Sequence, residues 1–225
     1  MIHVDVRQLS KRLAFLIAVV ALSTVGSAQT VDLHKLAEAV DKRYNSLQSL
    51  QADFVETYRG AGMQRTESGT MWMKKPGKMR WEYSSPRHKV FVTDGKTAWF
   101  YVPGDKQARR AKVKQLDDLR SPLRYLLGKT KLEREFNGLT VTETLPGGNV
   151  VLRGVPRGME ERVSYVLLEI TPENRIARIY LEELDGSQTE FRLNQQKDNP
   201  AVADARFKFA PPPGVELMEA TELEP

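Results

Sequence analysis

The chain carries no cysteine, which closes thiolate chemistry, and three histidines, His3, His34 and His88. His34 falls early in a helical pattern and His88 follows a proline in SSPRHKV, and neither recurs at metal-ligand spacing. Both are read as surface or boundary residues. Serines and carboxylates are plentiful, yet no serine sits in a G-x-S-x-G nucleophile elbow. These residues propose no enzyme, no metal site and no cofactor. What the sequence concentrates instead is apolar surface beside positive charge. In MWMKKPGKMRWEY, residues 71 to 83, Met71, Met73, Met79, Trp81 and Tyr83 alternate along two adjoining strands, flanked by Lys74, Lys75, Lys78 and Arg80. The pattern fits the half-buried hairpin of an ordinary core, and equally the wall of a cavity for an apolar ligand. Such a wall needs no specific hydrogen bonds, because each buried methylene is worth about 0.8 kcal/mol. Methionine suits it, being unbranched and adaptable, and four of the seven methionines, Met63, Met71, Met73 and Met79, fall in this region.

The elements that must position these residues follow from periodicity. Leu33, Leu36, Ala37, Val40, Tyr44 and Leu47 recur at three- and four-residue steps behind a cap at Asp32, which predicts a first helix. The period then changes to two in LQADFVETY, GTMWMK, KMRWEY, HKVFVTD and TAWFYV, with Asp94 and Gly95 marking a hairpin turn. A short helix interrupts the meander: Ser121 caps it, Pro122 opens it and Gly128 stops it. It is too short to stand alone, so Leu123, Tyr125, Leu126 and Leu127 are expected to pack on the sheet. Strands resume in LTVTETL, NVVLRGV, VSYVLLEI, IARIYLEEL and SQTEFRLN. The count is about eleven strands and two helices in a mainly β fold built on one continuous sheet. A barrel wider than about eight strands leaves interior space, which Leu50, Phe54, Met71, Met73, Met79, Trp81, Phe91, Trp99 and Tyr101 are the candidates to line. A sandwich of two sheets buries the same residues without a cavity, and periodicity alone leaves both open.

Residues 1–28 read as a secretory signal peptide: Arg7, Lys11 and Arg12, then the apolar run LAFLIAVVAL, then Gly26, Ser27 and Ala28. The run is too short for a comfortable transmembrane helix. Residues 29–225 are left as one exported domain, without a cysteine on which a lipid anchor could be built. The formal charge is +5, and removing Arg7, Lys11, Arg12 and Asp5 with the signal takes away a net +2 and leaves +3. That balance suits visits to anionic membrane surfaces and does not argue for nucleic acid. The segment KQARRAKVK, residues 106–114, holds five basic residues and reads as a solvated strand edge or loop, or as a contact for anionic headgroups or an acidic partner. The acidic, proline-rich tail after Pro211 reads as a closing loop and a frayed end.

The run GTMWMKKPGKMRWEYSSPRHKVFVTDGKTAWFYVP, with RIYLEELDGSQTEFRL and RFKFAPPPGVEL, resembles the LolA family of periplasmic outer-membrane lipoprotein carriers. The resemblance extends from about Leu33 to Leu217 and is most specific at Trp72, Lys74, Lys75 and Pro76, at the Trp81 strand and in the DGKTxWFY hairpin. It implies an incomplete antiparallel β-barrel of about eleven strands, with helices as a lid over a hydrophobic cavity for acyl chains, and it favours the cavity over the sandwich. It implies a monomeric periplasmic chaperone without cofactor. Its partners would be acylated lipoproteins, an inner-membrane ABC-type lipoprotein-releasing transporter and an outer-membrane lipoprotein acceptor, with no nucleic acid. The alternative is a periplasmic protein that binds or senses another lipid or amphiphile. Leu123, Leu126 and Leu127 would join the lipid-binding set. One position departs from the family: familiar carriers have arginine before the proline, where it helps hold the lid closed, and this chain has Lys75. Lysine keeps the charge without the five-donor fork. Either lipid release is easier here or another residue fastens the lid.

Overall fold

The computed structural model describes residues 31–113, 131–220 and 223. The signal-peptide reading of residues 1–28 and the short helix with Leu123, Leu126 and Leu127 fall outside these residues. Helix α1 spans Leu33–Ser46. It starts where sequence places it, because the Asp32 carboxylate accepts the Lys35 N–H at 3.1 Å and satisfies one of the free amides of the first turn. Ala37, Val40 and Tyr44 form its buried stripe at helical spacing, and Leu47 leaves the helix in extended backbone.

The strands are β1 (Ser49–Gly60), β2 (Met63–Lys74), β3 (Lys78–Ser85), β4 (Lys89–Asp94), β5 (Thr97–Tyr101) and β6 (Gln107–Lys112). After the four-residue helix α2 (Leu132–Glu135) come β7 (Phe136–Thr144), β8 (Val150–Pro156), β9 (Val163–Ile170), β10 (Ile176–Glu183), β11 (Gln188–Asp198) and β12 (Glu216–Glu219). All twelve lie in one sheet, in the order β12-β6-β5-β4-β3-β2-β1-β11-β10-β9-β8-β7. Two antiparallel meanders therefore meet where β1 pairs with β11. The sheet is open, with β12 at one edge and β7 at the other.

Two strands lie outside the ten segments that the sequence marks as strands. Strand β6 lies inside the basic segment and buries only the small residues Ala108 and Ala111, so the aromatic and β-branched signal of a strand is missing. Strand β12 lies in the tail read as a loop. It is exposed along its whole length and pairs with β6 in parallel.

Two turns show how the sequence fixes register. At the β4–β5 hairpin, Asp94 Oδ1 accepts the N–H groups of both Lys96 and Thr97 at 2.8 Å, while Gly95 takes a φ of 93°. At the β2–β3 contact, a Cβ on Gly69 would come within 2.0 Å of the Glu82 carbonyl oxygen, so only glycine admits this approach.

Strand alternation sorts side chains onto two faces. The face under α1 carries the main core, where Leu50, Phe54, Met71 and Trp81 meet Ala37, Val40 and Tyr44. The opposite face of β2 to β5 is covered by the stretch after β11. There Ser49 Oγ donates to the Pro200 carbonyl at 2.8 Å, Lys74 Nζ to the Val202 carbonyl at 2.9 Å, and Arg80 to the Arg206 carbonyl at 3.2 Å. Asp204 takes Lys74 at 2.6 Å and Lys78 at 2.7 Å on its two oxygens, and these hydrogen bonds pull its pKa down to about 2. Arg206 stands 4.2 Å from the centre of the Trp72 ring, and Phe207 is fully buried. This outer strap uses Lys74, Lys78 and Arg80 of the four basic residues that flank the apolar stretch.

Candidate functional site

Register converts the alternating apolar residues into rows that cross the sheet. Leu50 lies opposite Met73, and Met73 opposite Met79. In the next row Ala52 faces Met71, Met71 faces Trp81, Trp81 faces Phe91 and Phe91 faces Phe100. A third row runs Phe54, Gly69, Tyr83 and Lys89. The missing side chain of Gly69 lets its neighbours meet: the Phe54 ring lies 4.9 Å from Tyr83 and 4.7 Å from Trp81, both edge to face. From the other meander Phe191 adds its ring 6.1 Å from Trp81. The result is one continuous apolar wall.

Of the expected lining residues, Leu50, Phe54, Met71, Met73, Met79, Trp81 and Phe91 come together on this wall, and all but Met79 are buried. Trp99 and Tyr101 do not. They lie on the opposite face, against Phe209 of the strap at centroid distances of 6.4 and 5.8 Å. The reason is the β4–β5 turn, which sets Phe91 opposite Phe100 and Val92 opposite Trp99. Phe100 is thus the inward aromatic of its strand. Sequence reasoning also passed over Phe191 and Leu193 of β11, which share the core with Phe54. Leu123, Leu126 and Leu127 belong to the segment outside the described residues.

Lys75 sits at the other end of α1. Its Nζ donates to the Tyr44 carbonyl at 2.9 Å and to the Asn45 carbonyl at 3.0 Å, two of the acceptors left free at a helix C-terminus. Partial burial lowers its pKa. Adjacent bonds hold the same end of the helix. Arg43 pairs with Asp198, which Arg175 also meets at 2.9 Å. The Ile176 N–H donates to the Tyr44 hydroxyl at 2.8 Å, and burial pushes that phenol up to about 12. The void lined by Leu47, Leu50, Met73 and Lys75 measures only about 10 Å³, so this end of the wall is packed shut. Toward the helix start, Asp41 accepts the Leu132 N–H at 3.1 Å and His34 bonds Glu133 at 2.8 Å, tying α1 to α2. The bond to Glu133 raises the His34 pKa.

At the far end of the wall the chemistry changes. Glu56 and Glu67 stand directly opposite each other on β1 and β2, both nearly buried. Lys89 donates to Glu67 at 2.7 Å and lies 4.1 Å from the centre of the Tyr83 ring, and the Tyr83 hydroxyl donates to Glu56 at 3.1 Å. Burial raises the Glu56 pKa despite that hydrogen bond.

Residues 45 to 210 match the family described as outer membrane lipoprotein carrier protein LolA. The chain belongs to the LolA family. An outer-membrane lipoprotein carrier protein of Chromobacterium violaceum is 32% identical over 172 residues, which are 76% of this chain and 81% of that one. A carrier protein of the same description from Sodalis glossinidius is 30% identical over 190 residues, 80% of this chain and 86% of its own. Among solved structures, an uncharacterised conserved protein from Thermus thermophilus has a TM-score of 0.54 at 15% identity, covering 83% of this chain and 98% of its own, a likeness of fold. The apolar wall under α1 lies on β1–β4, within the residues that match the family.

Proposed function

We propose that this protein is a periplasmic chaperone that binds the acyl chains of lipoproteins and carries them from the inner to the outer membrane. The observation that carries the proposal is the wall of Leu50, Phe54, Met71, Met73, Met79, Trp81 and Phe91 under a helix held by polar bonds, in a chain of the LolA family. Each methylene placed on such a wall gains about 0.8 kcal/mol, so a carrier can hold an acyl chain without reading its sequence of atoms. Phe100 and Phe191 extend the wall, while Trp99 and Tyr101 leave the lipid-binding set for the strap.

In this reading Lys75 fastens α1 over the wall, and Leu123, Leu126 and Leu127 contribute from the short helix. Residues 1–28 direct export, and the mature chain acts as a monomer without cofactor or catalysis. It receives cargo from an inner-membrane ABC-type transporter and yields it to an outer-membrane acceptor. Isolation of the protein from a periplasmic extract, with its bound molecules identified by mass spectrometry, tests the reading. Acylated lipoproteins are the expected cargo. Recovery of free lipids alone would replace the proposal with a carrier or sensor of another amphiphile.

A further inference from the structure

The ionic cluster at the end of the wall contributes nothing to holding a hydrocarbon. Glu56 is 7% exposed, Glu67 6% and Lys89 8%. Burying such groups is costly unless each is well paired, and like charges set opposite each other across a ladder are unfavourable. The pairing is incomplete. Glu67 takes Lys89 and, at 3.1 Å, Arg65, whereas Glu56 takes the Tyr83 hydroxyl on Oε2 and has no hydrogen-bond partner on Oε1 among the described residues. Lys89 has three N–H donors, and one of them is used by Glu67. An unused acceptor and unused donors thus lie side by side at the border of an apolar wall.

Their position fits a head rather than a tail. From Leu50 to Glu56 the strand advances by six residues, about 20 Å. At the Leu50 end the wall is closed by α1, Lys75 and Arg43. Beyond Glu56, β1 and β2 run into an exposed hairpin. An acyl chain lying along the wall with its tail at the closed end brings its polar linkage to the cluster.

We propose that Glu56, Lys89 and Tyr83 form a site for the polar head of an N-acylated, ester-linked lipopeptide, and that the same site disfavours anionic phospholipid. The proposal rests on the carrier reading above. Lys89 donates to an ester or amide carbonyl, Glu56 Oε1 accepts an amide N–H, and the Tyr83 hydroxyl keeps the carboxylate aimed at it. A neutral amide head supplies both complements. A phosphate does not: it can accept from Lys89 but offers no N–H to Glu56 Oε1, and it sets a second negative charge beside a carboxylate that, among the described residues, no cation pairs, since Lys89 and Arg65 both go to Glu67.

The test compares three probes in a fluorescence displacement assay: a tripalmitoylated cysteinyl-serine peptide, dipalmitoyl phosphatidylglycerol in detergent, and palmitate. Wild type is expected to prefer the lipopeptide over phosphatidylglycerol by about tenfold or more. Glu56→Leu should cut that ratio at least about fivefold and leave palmitate bound at least as tightly as in wild type, because its carboxylate loses a like charge at the border. An unchanged ratio in a folded variant overturns the proposal, as does equal weakening of all three probes, which marks the cluster as structural. If Glu56→Leu does not fold, the isosteric Glu56→Gln is read by the same ratio, with a fall of about threefold expected and no fall refuting the site. Wild type that binds palmitate and phosphatidylglycerol but no lipopeptide refutes the carrier reading itself.

Discussion

Replacing Lys75 with leucine removes two hydrogen bonds from an ammonium to the Tyr44 and Asn45 carbonyls, at 2.9 and 3.0 Å. Hydrogen bonds to a charged group contribute about 1.5–3 kcal/mol each when shielded. Lys75 is only partly buried, and the freed carbonyls at the helix end can turn to water, so the net loss is smaller. We expect α1 to be held more weakly by about 1–3 kcal/mol, which raises its opening equilibrium by roughly 5- to 150-fold. Arg43 with Asp198 and Tyr44 with Ile176 still hold the same end, so the helix remains formed and docked on average. In the proposed cycle a lid that recloses over the empty wall supplies part of the drive to release cargo. Lys75→Leu should therefore accept lipoprotein normally and pass it poorly to an acceptor. Lys75→Arg, with a forked donor for the same carbonyls, should transfer at least as well as wild type. Hydrogen exchange of the α1 amides reads the opening, and a two-step assay scores uptake and handover separately. Unchanged exchange and unchanged handover in a folded Lys75→Leu protein would show that Lys75 does not hold the lid.

The assignment of faces predicts that Trp99→Ala loosens the strap, seen as faster proteolysis after residue 199, while lipid uptake stays as in wild type; a specific loss of uptake would place Trp99 in the site after all. The depressed pKa of Asp204 predicts a pH effect with a definite sign. Its contribution is fully present above its ordinary value near 3.8 and is lost as pH falls through about 2. The difference in Tm between wild type and Asp204→Asn should shrink over that interval, and a constant difference would show that Lys74 and Lys78 do not hold the carboxylate in solution.

The strongly alternating strands were legible because one face is buried: Leu50, Phe54, Met71, Met73, Trp81 and Phe91 announce it by spacing alone. The first helix was legible for the same reason, with Asp32 supplying the start signal. Strand β6 escaped because its buried residues, Ala108 on one face and Ala111 on the other, are small and carry no strand signal, and β12 because an exposed edge strand has no apolar face to display. The misplacement of Trp99 and Tyr101 was avoidable. The two-residue Gly95–Lys96 loop after Asp94 fixes register, and counting outward from it pairs Phe91 with Phe100, which sends Trp99 to the other face. The ionic cluster was not legible, since Glu56, Glu67 and Lys89 are scattered over three strands and read separately as solvent-facing charges. Only the ladder brings them together. That Lys75 meets the end of α1 could not be read from spacing, because nothing local links residue 75 to the carbonyls of residues 44 and 45; the expectation of a lid contact came from family resemblance alone.

The central claim is tested most directly by mixing purified mature protein with a detergent-solubilised acylated lipoprotein, removing the detergent and measuring what stays in solution by size-exclusion chromatography with light scattering. The account predicts a soluble one-to-one complex that forms with wild type and weakens when Met71 or Trp81 on the wall is replaced by glutamate in a folded variant. Precipitation of the lipoprotein in the presence of folded wild-type protein, under conditions where a free lipid is bound, would contradict it.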